Sequence, residues 1–229
     1  TLAASRDSLL NPLMKGELST FETRKPQVSE SPEHSDESEQ LSPFQEAVLI
    51  SEVVAACSSH DFPLGRFRRT KFSYFAERFM EQDTTRGYAQ MEAGPYKPSA
   101  RYKGPEGIAL KNGYVKSSEK GKFLPGDKID ECRKYAERYN FLPSIQRVKE
   151  KLRFKKNDDL ELLSTVDFSV LELMKQGEEP TPERIIAYIN SVPKWKKKLE
   201  KDHFSKGHIK QALADLKALF SEDYMEVEV

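Results

Sequence analysis

The side chains able to do chemistry in this chain gather in one basic and aromatic constellation near its middle. Arg66, Arg68, Arg69 and Lys71 fall within six residues. Tyr96, Lys97, Arg101, Tyr102 and Lys103 follow, and Lys116, Lys120 and Lys122 close the group. Arginine and lysine in such a grouping can position phosphates, while a hairpin carrying lysines can probe a groove. The pattern Phe67, Phe72, Phe75, Ala76 and Phe79 predicts a helix over 67–80. Cations at a helix start oppose its dipole, at a cost of a few tenths of a kcal/mol each. Arg68, Arg69 and Lys71 therefore read as placed for binding rather than for helix stability. The expected ligand is the DNA backbone or an acidic protein surface, the chain's own acidic stretch included.

Catalysis finds less support. The sequence contains no G-x-S-x-G, H-E-x-x-H or phosphate-loop motif. Asn11-Pro12-Leu13-Met14 lacks the second proline and the aromatic of an amino-methyltransferase loop. Asp202 with Asp215-x-Lys217 has the residue types of a metal-dependent nuclease, but Asp215 and Lys217 lie in a helical pattern where that chemistry uses a strand. His203 and His208 are five apart, so they do not share one helix face as metal ligands. Cys57 sits on an apolar helix face, which predicts a small core residue rather than a nucleophile, and Cys132 has no flanking His or Cys to make a zinc site. Asp158, Asp159 and Glu161 complement a helix N-terminus. The basic run Lys194, Lys196, Lys197 and Lys198 around Trp195 reads as a solvated helix end. The expectation is a non-catalytic chain with no metal, no cofactor and no small-molecule substrate.

Behind these residues stand 229 positions with 37 basic and 37 acidic side chains, 37% of them hydrophobic. That length suffices for one or two domains with a core. No apolar run approaches the roughly 20 residues of a membrane span. Two cysteines cannot build a disulfide framework, so a cytoplasmic location is expected. The zero net charge hides an uneven distribution. Residues 1–63 carry a net −7, residues 64–122 a net +7, and the remainder is balanced. Four segments are expected. Residues 1–18 read as the end of a helix, which suggests a chain that starts within a longer one. Residues 19–43 read as an acidic disordered linker, since Ser29–Glu39 has almost nothing to bury against an ordering cost of about 1–2 kcal/mol per residue.

Residues 44–125 predict a winged-helix-like module: helices over 44–57, 67–80 and 105–110, then a hairpin of 113–118 and 121–124. Gly94 and Pro95 are expected to form the turn that orients Tyr96. Residues 126–229 predict helices over 127–139 (with an Asp127 cap), 142–154, 158–175, 182–190 (Thr181 as cap) and 205–220. The fold class is thus mainly α with one small β-hairpin, the last segment being a helical subdomain packed on the module.

Two stretches carry a family resemblance. Ser8-Leu9-Leu10-Asn11-Pro12-Leu13-Met14-Lys15-Gly16-Glu17-Leu18 resembles the closing signature of the specificity subunit of type I restriction-modification enzymes. Lys71-Phe72-Ser73-Tyr74-Phe75-Ala76-Glu77 with Ala93-Gly94-Pro95-Tyr96 is similar to an accessory domain found with such subunits, and distantly to the SocA-like antitoxin domain. Leu160–Asp167 and Trp195–Phe204 look like the same domain continuing. The resemblance implies the C-terminal part of a specificity subunit, without its target-recognition domains. The implied partners are the methylation and restriction subunits together with DNA, and no membrane. The antitoxin likeness implies an alternative, a regulatory protein-interaction domain.

Overall fold

The computed structural model of the chain describes residues 40–118 and 120–221 together with Tyr224. The expected helix end at 1–18 and all but the last residues of the expected linker lie outside the described residues. Among the described residues no helix is long and apolar enough to cross a membrane.

The fold is mainly α, with eight helices and two short antiparallel hairpins among the described residues. Helix α1 spans Pro43–Cys57. Ser42 caps it: its hydroxyl accepts from the Gln45 amide, and the Gln45 side chain accepts from the Ser42 amide at 2.8 Å. Helix α2, Arg66–Phe79, follows a short turn. Strands β1 (Ala89–Met91) and β2 (Gly94–Tyr96) pair with Met91 opposite Gly94. Helix α3 is Pro105–Lys111. Strands β3 (Val115–Ser117) and β4 (Phe123–Pro125) form the second hairpin, and Leu64 adds a bridge to Phe123. Helices α4 (Ile129–Arg138), α5 (Leu142–Leu152), α6 (Asn157–Lys175), α7 (Pro182–Ser191) and α8 (Lys206–Leu219) complete the chain, with two 3-10 turns between α7 and α8.

Three helices are central. α1 is buried without a break from Ala47 to Val54, α2 from Arg69 to Phe79, and α6 from Leu160 to Val170. A helix buried around its whole circumference must be covered on every side. α1 packs on α2, α3, α4 and α5, and α2 packs on α5, α6 and β2. One hydrophobic cluster runs from Ala47 to Tyr224, so residues on both sides of position 125 share a core. Phe72, Phe75 and Trp195 are fully buried in it, and truncating such a ring costs about 3–5 kcal/mol.

Local chemistry sets the ends. Thr181 caps α7 by accepting from the Arg184 amide at 3.3 Å, with Pro182 in the first turn. Asp127 does not cap α4; the helix opens after Lys128 with no side-chain cap, and Asp127 instead faces Lys116. The β1–β2 hairpin is an addition to the expected order of elements.

Candidate functional site

The cations at the start of α2 turn inward or are held by neighbouring main chain. Arg69 is 2% exposed and its Nη2 donates to Glu106 Oε2 at 3.0 Å. Arg66 donates to the same carboxylate through Nη2 at 2.9 Å and Nε at 3.2 Å. Both guanidinium groups lie 5.6 Å from the Phe123 ring centre. Burial pulls the Arg69 pKa down, with Glu106 opposing and Arg66 adding to the fall. Arg68 donates to Arg153 O at 2.5 Å, Lys155 O at 2.9 Å and Asn157 Oδ1 at 3.1 Å. It thereby satisfies carbonyls beyond the end of α5 and ties them to the start of α6. Lys71, also 2% exposed, donates to Pro95 O at 3.1 Å. Burial holds its pKa well below the usual lysine value; Lys198 pushes the same way and Glu161 opposes. Lys97 bridges Glu46 at 2.8 Å and Glu77 at 3.0 Å.

This corrects the expectation for the helix start. Arg69, Lys71 and Lys97 do not form a DNA-facing patch, and Arg66 and Arg68 are already engaged. The physical reason is the central position of α2. A charge taken from water needs partners in the protein, and Glu46, Glu77 and Glu106 supply most of them from other parts of the chain.

The second half of the constellation faces outward. Lys103, Lys116, Lys120 and Lys122 are exposed, and Arg101 is half-buried with its guanidinium 5.1 Å from the Tyr102 ring centre. Among the described residues Lys116 pairs with Asp127, at 3.5 Å. Two lysines that sequence reasoning passed over, Lys111 and Lys128, join Lys116 in lining an open groove of about 510 Å³ between the end of α3, β3 and the start of α4. Asp127 and Glu131 are the acids in its wall. Glycines close the base of the groove. Gly113 has φ +71°, and a Cβ on Gly126 would stand 2.1 Å from Gly113 O. The Gly126 amide donates to Tyr114 O at 2.8 Å and the Lys128 amide to Gly113 O at 3.0 Å. The signal for Lys111 and Lys128 was their position beside these two glycines.

Gly94, Pro95 and Tyr96 are also placed differently from expectation. They form strand β2, and the turn is Glu92–Ala93. Gly94 has φ +93°, and a Cβ there would meet Lys71 Nζ at 2.6 Å and Thr165 Oγ1 at 2.9 Å. Glycine is required for that close approach.

The structure does not gather the nuclease-like residues. Asp215 accepts from Lys155 at 3.4 Å and from Gln211 at 2.9 Å on the face of α8, while Asp202 uses its backbone carbonyl to hold His208. Among the described residues the one cluster of metal-ligand types is Asp158, Glu161 and His203. Glu161 is clasped by the ammonium groups of Lys198 and Lys201, so a cation there would face two charges of its own sign. Lys194, Lys196 and Lys197 are exposed, as a solvated run would be, but Lys198 is buried beside Trp195 and departs from that reading. Cys57 and Cys132 are buried, their thiols pushed up by burial to about 11 and about 12.

Compared with protein-family models, curated proteins and solved structures, the chain matches none.

Proposed function

We propose that this chain is a non-catalytic binding module that contacts the DNA backbone through the lysines of the β3–β4 hairpin and the adjoining groove. It would serve as the C-terminal part of a type I restriction-modification specificity subunit, acting beside the methylation and restriction subunits in the cytoplasm, as the sequence resemblance implies. The carrying observation is the division of the constellation: the α2 cations have internal partners, while Lys103, Lys116, Lys120 and Lys122 are exposed. The β3–β4 hairpin would be the probing wing of a winged-helix-like module. A phosphate contact from each lysine releases condensed counterions, so affinity should fall steeply with salt.

A second reading, docking to another protein in the manner of an antitoxin, is favoured by one observation. Phe62, Tyr102 and Phe154 are 77%, 78% and 87% exposed, and aromatic side chains are enriched in protein interfaces. Fluorescence anisotropy of the full chain with a nonspecific DNA duplex separates the two. Binding that weakens steeply with salt, and that is weaker and less salt-dependent in Lys116→Ala/Lys120→Ala/Lys122→Ala, supports the first reading. No binding at low salt overturns it and leaves the docking reading.

A further inference from the structure

The turn before α2 and the turn after α5 each hold a phenylalanine out in solvent. Ser59 and Phe62 exchange backbone hydrogen bonds, both at 3.1 Å, and the Ser59 hydroxyl accepts from the Phe62 amide at 3.2 Å. That turn is closed on itself, and the Phe62 ring stands exposed on it. Arg68 collects the carbonyls of Arg153 and Lys155, the residues on either side of Phe154. With both carbonyls tied inward, the Phe154 ring stands exposed between them. A single exposed ring is ordinary on a protein surface. What sets these two apart is the charge around them.

Six of the ten residues from Arg147 to Lys156 are basic. Arg147 donates to Leu219 O at 3.2 Å, and Lys155 pairs with Asp215 at 3.4 Å. Among the described residues Lys149, Lys151, Arg153 and Lys156 have no ion pair, unlike the α2 cations that meet Glu106. Lys149 and Arg153 are one turn apart and so share a face at the end of α5. Besides burial, the charges acting on the Cys57 thiol at the end of α1 are Arg153, Lys149 and Arg68. The end of α1, the start of α2 and the end of α5 therefore meet here. Leu64, two residues past Phe62, exchanges backbone hydrogen bonds of 2.9 Å with Phe123, which brings the foot of the β3–β4 hairpin to the same turn. The acids of the two segments are Asp61 and Glu150, which bond His60 at 3.5 Å and Gln146 at 2.6 Å.

The core of a protein–protein interface is apolar, with charge kept toward its rim. Here neither ring meets another aromatic ring among the described residues, and the Arg153 guanidinium stands 5.4 Å from the Phe154 ring centre. Separate rings set among cations suit an unpaired nucleic-acid strand, whose bases stack on aromatic faces while cations take its phosphates. In a closed duplex the base faces cover one another and leave the rings nothing to stack on.

We propose that this end of the molecule binds single-stranded DNA, with bases stacked on Phe62 and Phe154 and phosphates held by Lys149, Arg153 and Lys156. Arg68 is a positioning residue that holds Phe154 outward. The choice of DNA over RNA rests on the duplex reading of the adjoining hairpin; the choice of an unpaired strand does not.

Anisotropy of the full chain with a fluorescein-labelled oligothymidylate of about 12 nucleotides, a length within the range one binding surface covers, tests this. An abasic strand of the same length supplies the phosphates without bases. The oligothymidylate should bind at least about tenfold more tightly than the abasic strand. Phe62→Ala and Phe154→Ala change exposed rings, so circular dichroism should show both folded. Each should weaken the oligothymidylate at least about fivefold and leave the abasic strand and a duplex unchanged. Lys149→Gln/Arg153→Gln/Lys156→Gln should cut the salt slope for the oligothymidylate by up to about 2.1, at about 0.7 per contact on a single strand. Equal affinity for the two strands, or unaltered binding in folded Phe154→Ala, would overturn the proposal. An oligouridylate binding at least about tenfold more tightly than the oligothymidylate would overturn the choice of DNA. Duplex binding by Lys116→Ala/Lys120→Ala/Lys122→Ala is read separately, so the hairpin reading can fail while single-strand binding stands.

Discussion

Replacing Glu106 by alanine should destabilise the fold by about 3–5 kcal/mol. The carboxylate is 6% exposed and accepts three hydrogen bonds, from Arg66 Nη2, Arg66 Nε and Arg69 Nη2. Arg66 is half-exposed and can turn to water. Arg69 cannot: it is 2% exposed, its Nε already lacks a hydrogen-bond partner, and the substitution leaves its guanidinium buried without that carboxylate. Breaking a buried pair from one side costs about 3–5 kcal/mol, whereas replacing both partners by apolar residues is often neutral. Urea unfolding followed by far-ultraviolet circular dichroism reads the effect. With a slope of about 2 kcal/mol per molar, the midpoint should fall by about 2 M. Glu106→Leu with Arg69→Met should recover most of that loss. A Glu106→Ala midpoint within about 0.5 M of the parent, together with tighter DNA binding, would refute the reasoning. It would mean that Arg69 is free to meet phosphate.

Arg68→Ala should cost about 2 kcal/mol of stability through its three lost acceptors, with the salt dependence of DNA binding unchanged, as urea unfolding and anisotropy would show. Glu161 is subject to burial, which raises its pKa, but its bonds and attraction to Lys198 and Lys201 win and hold it below the ordinary value of 4.5. Because the folded pKa is depressed, its contribution is present above the unfolded value and disappears as pH falls through the folded one. Unfolding of Glu161→Gln should therefore differ from the parent at pH 7 and converge with it in acid; this comparison also removes Glu52 and Glu77, whose pKa values burial raises. The Cys57 and Cys132 thiols, buried and pushed up to about 11 and about 12, should resist Ellman's reagent in the native chain and react promptly in urea.

The helices were legible because their apolar spacing and caps act locally. Phe44 to Cys57 and the Thr181-Pro182 start each announce an element within a few residues. The β3–β4 hairpin was legible through Gly113 and Gly121. The β1–β2 hairpin was not: three-residue strands show no alternation, and Gly94-Pro95 has the composition of a turn. The fate of the basic cluster could not be read locally either. Arg69 meets a partner 37 positions away, and Lys97 partners 51 and 20 away. One signal was present on α2 itself. Tyr74 and Arg78 lie on a different side from Phe72, Phe75 and Phe79, and a helix carrying large side chains on more than one face is a central helix. Charges on such a helix point into protein, so counting them overstates the surface field.

The account rests on the hairpin lysines being the DNA-facing group and the α2 cations being structural. Anisotropy of the full chain on a nonspecific duplex, from about 50 to 300 mM salt, tests that most directly. In Lys116→Ala/Lys120→Ala/Lys122→Ala the slope of log affinity against log salt should shrink by up to about 2.7, at about 0.9 per phosphate contact. An unchanged slope in that variant would contradict the account, and so would its loss in folded Arg68→Ala.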